Sequence, residues 1–247
     1  MIKFFRHIRK SLLMENKTAK YFKYAIGEII LVVIGILIAL QLNNANEERK
    51  LKEKESHALT EIVSDLNHNI SELNKLVGND TIALGRVGQQ MKSIFIVIED
   101  LRSKNIEYND SLQIDYLSLF AYNEAKIKTS GYESLVSIGL DLISDNKIRT
   151  KIGEYNTSNI PSFKGFYGEV RDDYYHYMLD YSRKEFASFG KVFKPVDYTS
   201  LKKNREFIES LRVFYMTLNW YSESAKRTKE EANKLKRLIE EYLKKSS

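Results

Sequence analysis

The sequence predicts an all-α protein: one N-terminal transmembrane helix followed by an antiparallel helical bundle whose first and last helices are long. Three observations carry this expectation. From Ile29 to Leu40 every residue is apolar or glycine. From Phe207 to Tyr242 a stripe of apolar and small residues recurs in alternating steps of four and three. Proline occurs only twice in 247 residues, at Pro161 and Pro195. The chain divides accordingly into a basic juxtamembrane segment (1–24), the span (25–42) and a helical extracytoplasmic domain (43–247).

Charge orients the span. The chain holds 39 Lys and Arg against 33 Asp and Glu, and a pI near 9.1 would ordinarily suggest nucleic acid as a partner. Residues 1–24, however, contain seven Lys or Arg and only Glu15 as an acid, which accounts for the whole excess of +6. The rest of the chain balances at 32 of each sign, so no nucleic-acid role is expected. A basic cluster beside a span holds that flank on the cytoplasmic side and attracts anionic headgroups at about 1 kcal/mol per cation. The other flank, Asn43 to Glu48, is polar and acidic. The expectation is a single-pass protein of the cytoplasmic membrane, N-terminus inside and domain exported.

In the first segment, Phe4, Phe5, Ile8, Leu12, Leu13, Tyr21 and Phe22 alternate with cations at helical spacing. Ile2 to Tyr24 reads either as an amphipathic helix on the inner leaflet or as a partly ordered basic tail. Tyr21 to Leu42 is long enough to cross a ~30 Å hydrocarbon core, which takes about 20 helical residues. A cleaved signal peptide has the same order of charge and apolarity. The run is long for one and no A-x-A-like site closes it, so an uncleaved signal-anchor is expected.

Within the span, Glu28, Gly35 and Ala39 fall within about 20° of one another on a helical wheel. Gly35-x-x-x-Ala39 is a small-xxx-small pattern, which lets helices approach closely. This face is a candidate for self-association; alternatively Glu28 reaches Lys20, Lys23 or the headgroups.

The stretch Tyr24-Ala-Ile-Gly-Glu-Ile-Ile-Leu-Val-Val-Ile-Gly-Ile-Leu-Ile-Ala-Leu-Gln41, followed by Asn43-Asn44 and Asn46-Glu47, resembles the signature of a bacterial family of single-span membrane proteins with no assigned activity. A weaker likeness runs through Ser130-Gly-Tyr-Glu-Ser-Leu135 and Gly139-Leu-Asp-Leu-Ile-Ser144, ending near Ile148-Arg149. The resemblance implies a short N-terminal segment, one span and a helical domain. Family members tend to carry Trp where this chain has Ala45, so the outer interfacial anchor is missing here.

Beyond the span, Glu47 to Val77 lacks Gly and Pro and carries a stripe of Leu59, Ile62, Leu66, Ile70, Leu73 and Leu76. It is expected to continue the membrane helix or to follow it after a short break at the Asn cluster. Gly78-Asn79-Asp80 ends it, and Thr81 to Leu101 reads as the next helix. Asp110-Ser111 is expected to cap a helix to about Ile127. Ser130-x-x-Glu133 reads as a capping box opening a helix to Ile138 that Gly139 closes. Ser144-Asp145-Asn146 then caps a helix to about Tyr155. Pro161 suits the first turn of a helix from Ser162 to about Phe189. Pro195 lies in a linker before Ser200, the expected cap of the last helix. The seam of that last helix is expected to pack along Glu47–Val77 within one chain, with a dimeric coiled coil as the other reading.

Chemistry is sparse. Nucleotide-binding glycine patterns, H-E-x-x-H, G-x-S-x-G and EF-hand loops are absent. His57 with Glu61, and His176 with Asp172, stand one turn apart, but zinc needs three or four ligands, so both read as solvated faces. No metal and no cofactor are expected. Aromatic residues crowd 155–198, and Arg171, Tyr174, Tyr175 and Tyr177 are the candidates if this region binds a ligand; a largely structural aromatic core is the other reading. The functional expectation is a non-catalytic, membrane-anchored helical protein whose exported domain binds a protein partner or senses a condition near the bilayer. The alternative is an envelope enzyme or ligand-binding protein with a Tyr-lined cleft in 155–198. Asp172 and Asp173 alone cannot flank one scissile bond, because adjacent helical residues point about 100° apart.

Overall fold

The computed structural model describes residues 18–189 and 192–246. The expectation of an amphipathic helix over Ile2–Tyr24 lies, up to residue 17, outside the described residues. The chain separates into two compact units, Met1–Lys54 and Glu55–Ser247. Helix α1 (Thr18–Val77) contributes to both. It is unbroken at Asn43–Asn46, so of the two expectations continuity holds.

The first unit is helical throughout its described part. Its large apolar side chains from Ile26 to Leu42 are all between 47% and 68% exposed. Side-chain bonds Lys50–Glu47 (3.1 Å) and Arg49–Asn46 (3.2 Å) mark where the surface turns polar.

The second unit is an α-helical bundle organised along its last helix. Its elements are α1 from Glu55, α2 (Arg86–Arg102), a 3₁₀ turn at Asp110–Leu112, α3 (Gln113–Ser118), α4 (Ser130–Ile138) and α5 (Asn146–Glu154). After these come α6 (Ile160–Asp173), α7 (Leu179–Glu185), strands β1 (Phe186–Phe189) and β2 (Val192–Pro195), α8 (Tyr198–Lys203) and α9 (Arg205–Ser246). Two buried clusters stack along α9. One joins Leu59, Ile62 and Leu66 to Ala232, Leu235 and Ile239 through Leu135, Ile148 and Ile152. The other joins Val87, Ile94 and Val97 to Phe207, Leu211, Phe214 and Leu218. The seam of α9 from Phe207 to Ile239 is thus consumed within one chain. Tyr242 donates to Glu55 (3.1 Å) while Lys229 donates to the Gly78 carbonyl (2.9 Å), which makes α9 antiparallel to α1.

Glycine geometry sets the turn after α1. Gly78 ends the helix at φ +87°, a conformation that costs other residues. A side chain on Gly85 would sit 2.3 Å from the Leu76 carbonyl oxygen. Asn79 Oδ1 accepts from the amides of Thr81 and Ile82. The turn therefore extends to Gly85, and α2 starts at Arg86 rather than at the expected Thr81.

Between Ala121 and Thr129 the chain is extended and lies in no regular element, which corrects the expectation of a helix reaching Ile127. Its backbone bonds go to side chains instead. Asn69 exchanges two hydrogen bonds with Lys128, at 2.7 and 2.9 Å. His68 Nε2 lies 2.9 Å from the Lys126 carbonyl. Gln90 donates to the carbonyls of Leu119 and Ala121, and Arg86 to that of Glu124. Polar residues of α1 and α2 so replace the helical ladder that the segment forgoes.

The expected capping box at Ser130 is replaced by a cap from another helix. Asp65 accepts from the Gly131 amide (2.7 Å) and from Ser130 Oγ (3.1 Å), while Thr129 Oγ1 bonds the Glu133 carboxylate. A Cβ on Gly131 would stand 3.0 Å from the Glu61 and Ile62 backbone, so glycine permits α4 to dock on α1. Asp145 caps α5 through the Ile148 amide, as the sequence suggests.

The run from Asn146 to Glu185 is helical without the expected break before Ser162. Two π-helical turns, Tyr155–Asn159 and Tyr174–Met178, interrupt its α geometry. In the first, Asn156 and Thr157 side chains bond the carbonyls of Ile152 and Gly153, and Pro161 has no amide to donate. In the second, His176 Nδ1 lies 2.8 Å from the Asp172 carbonyl. Side chains that compete for carbonyls four residues back loosen the α ladder. The helix ends at Glu185, not Phe189, and gives way to an antiparallel hairpin that pairs Phe186 with Pro195 and Phe189 with Val192. The sequence reading lacked this hairpin. Phe186 and Phe193 stack at 5.0 Å and face the core. Asp197 caps the short α8, and Asn204, rather than the expected Ser200, caps the last helix, its Oδ1 accepting from the Phe207 amide at the start of α9.

Candidate functional site

The aromatic region resolves into three separate settings. A buried one surrounds Asp100, whose carboxylate accepts from Tyr116 (2.7 Å) and Tyr198 (2.9 Å). Tyr108 packs edge-on against both rings. Burial, reinforced by the Asp100 carboxylate, pushes the Tyr198 phenol up to about 12 and that of Tyr116 further in the same direction. Both phenols therefore stay protonated, as a donor to a carboxylate must, and the cluster ties α2, α3 and α8 together. It is a structural core.

The second setting is the surface cluster that contains two of the expected site residues. Tyr174 and Tyr175 lie 5.3 Å apart in an edge-to-face pair. Tyr122, on the extended segment, approaches Tyr174 at 5.1 Å, Tyr175 at 5.9 Å and Tyr167 at 6.0 Å, and its hydroxyl bonds that of Tyr167. Desolvation raises the phenols of Tyr167 and Tyr174. Beneath them Tyr221 stacks on Phe163 at 5.3 Å. Arg171 borders this cluster and bonds Asp172 through Nε and one terminal nitrogen, at 3.1 and 3.0 Å. That exposed pair holds the guanidinium high in pKa and leaves part of its donor fork open. Tyr122 carries no sequence signal for this cluster, because its segment reads as helical and it lies outside 155–198.

The third setting holds Tyr177, which the structure separates from the other candidates. It is 57% exposed and lines a groove of about 360 Å³ with Asp173, Val213 and Phe214. Asp173 there accepts from Thr217 at 2.7 Å. Asp172 and Asp173 thus serve different partners.

In the first unit, Gly35 has open space where a Cβ would stand, Ala39 is exposed and Glu28 is half-buried. His57 lies 3.7 Å from Glu61 on an exposed face. Among the described residues no group of three His, Cys, Asp or Glu could hold a metal ion.

Comparison with family models, with curated proteins and with solved structures finds no match to this chain.

Proposed function

We propose that this chain is a single-pass, membrane-anchored protein with an uncleaved signal-anchor. Its N-terminus is cytoplasmic and its helical domain stands outside the cytoplasmic membrane, where it binds a partner or senses a condition without catalysis. One observation carries the reading: α1 is a helix long and apolar enough to cross a membrane, and among the described residues the side chains of its most apolar stretch are exposed. Leaving so many Ile, Leu and Val side chains in water forfeits about 1.5–3 kcal/mol each relative to burial, whereas a lipid core takes them up. The basic residues before the span and the acidic ones after it support the orientation. Extraction of membranes with alkaline carbonate tests the anchor. The full chain remains with the bilayer pellet; its release into the aqueous supernatant overturns the proposal.

The cluster of Tyr122, Tyr167, Tyr174 and Tyr175 beside Arg171 favours a second reading, in which the domain holds a small ligand. Amphipathic rings next to a partly open guanidinium offer stacking and directed donors together.

A further inference from the structure

We infer that the groove between α6 and α9 around Trp220 is a saccharide-binding site, taking a neutral or N-acetylated oligosaccharide. Its volume is about 430 Å³, within the ~300–1,000 Å³ range of small-molecule sites. Trp220 is the chain's only tryptophan, is 47% exposed and stacks on no other ring among the described residues. Phe166 adds a second aromatic ring to the lining. Sugars present flat C–H faces that pack on such rings, and a rim of hydroxyls that needs small, directed polar partners.

The groove supplies that rim. Ser158, Ser162 and Ser224 bring hydroxyls and Arg227 a guanidinium. Among the described residues none of these four side-chain groups makes a hydrogen bond or ion pair with the protein; Ser158, Ser162 and Arg227 are exposed, so their bonding capacity is available to a ligand, while Ser224 is largely buried in the lining. Trp220, Ser224 and Arg227 recur at steps of four and three on α9, which sets them on one face over a length of about 10 Å, enough for more than one sugar ring. Ser158 comes from the first π-helical turn, a feature that concentrates at functional sites. Glu223 at the edge is engaged by Lys226 at 2.7 Å, which holds its carboxyl below the usual value and keeps it an acceptor. The lining carries few aliphatic side chains, which argues against an acyl chain or an apolar helix as occupant. This chemistry holds whether or not the chain is anchored in a bilayer.

Because Trp220 is unique, its emission reports on the groove alone. The full-length chain, in a detergent without a sugar headgroup, is titrated with chitotetraose and with cellotetraose while tryptophan is excited selectively. A saturable change in emission with either sugar is expected. Calorimetry on Arg227→Gln and Trp220→Ala, both exposed positions, should then show affinity lower by about tenfold or more, with helicity unchanged. No saturable response to either oligosaccharide overturns the inference, as does a response that both substitutions leave intact.

Discussion

Asn69 of α1 and Lys128 of the extended segment are hydrogen-bonded in both directions, the carboxamide oxygen accepting the Lys128 amide at 2.7 Å and its nitrogen donating to the Lys128 carbonyl at 2.9 Å. One side chain so does for the segment what a neighbouring strand would do. Asn69 is 1% exposed, so Asn69→Ala leaves backbone groups without partners at a cost of about 1–3 kcal/mol each. Chemical denaturation should show the domain destabilised by roughly 2 kcal/mol or more. A loss below about 0.5 kcal/mol would mean the segment is held by other contacts.

Glycine contacts give a paired prediction of opposite sign. Gly131→Ala puts a methyl 3.0 Å from the backbone of Glu61 and Ile62 and should cost about 1–3 kcal/mol by forcing α4 off α1. Gly165 is in the interior of α6 with nothing near its absent Cβ, so Gly165→Ala should stabilise by about 0.5–1 kcal/mol. Melting temperatures of the two variants should move in opposite directions; a common direction contradicts the packing described.

Alkaline pH should unfold the domain through its buried phenols. Burial pushes Tyr108, Tyr155 and Tyr198 up to about 12, above an unfolded value of about 10. Below that unfolded value neither state ionises and the stabilisation is fully present. As pH rises toward and through the folded values, the unfolded chain sheds protons that the folded one retains, and stability falls. Denaturation midpoints should therefore drop through this window, and the decline should be shallower in Tyr198→Phe. Full phenolate absorbance while the native circular dichroism persists would contradict this.

Glu28, Gly35 and Ala39 share one face of α1 by helical spacing, and self-association through it is a proposal that substitution tests. Glu28→Gln combined with Gly35→Leu should reduce self-association of the full chain in detergent or bilayers, read by crosslinking or sedimentation. Unchanged oligomer size would discard that contact.

The long helices and their stripes were legible because each writes a 3.6-residue period over many turns, as Phe207 to Ile239 does. The hairpin was not, since four-residue strands such as Phe186–Phe189 carry too little alternation to compete with the helical pattern before them. The extended segment was hidden for another reason. Its stabilising partners, His68, Asn69 and Gln90, lie about 30 to 60 residues earlier in the chain. In the candidate site, clustering of aromatics pointed to Tyr174 and Tyr175. Their contact with Tyr122 and the departure of Tyr177 depend on the π-helical turn and on that same segment.

A bilayer anchor with the domain outside makes one residue's accessibility the most direct test. The chain has no native cysteine, and Lys151 on α5 has a side chain 47% exposed, so Lys151→Cys supplies a single accessible thiol. Intact spheroplasts of a bacterial host expressing this variant are treated with a membrane-impermeant maleimide. Labelling before lysis is the predicted result; labelling only after lysis would contradict the account.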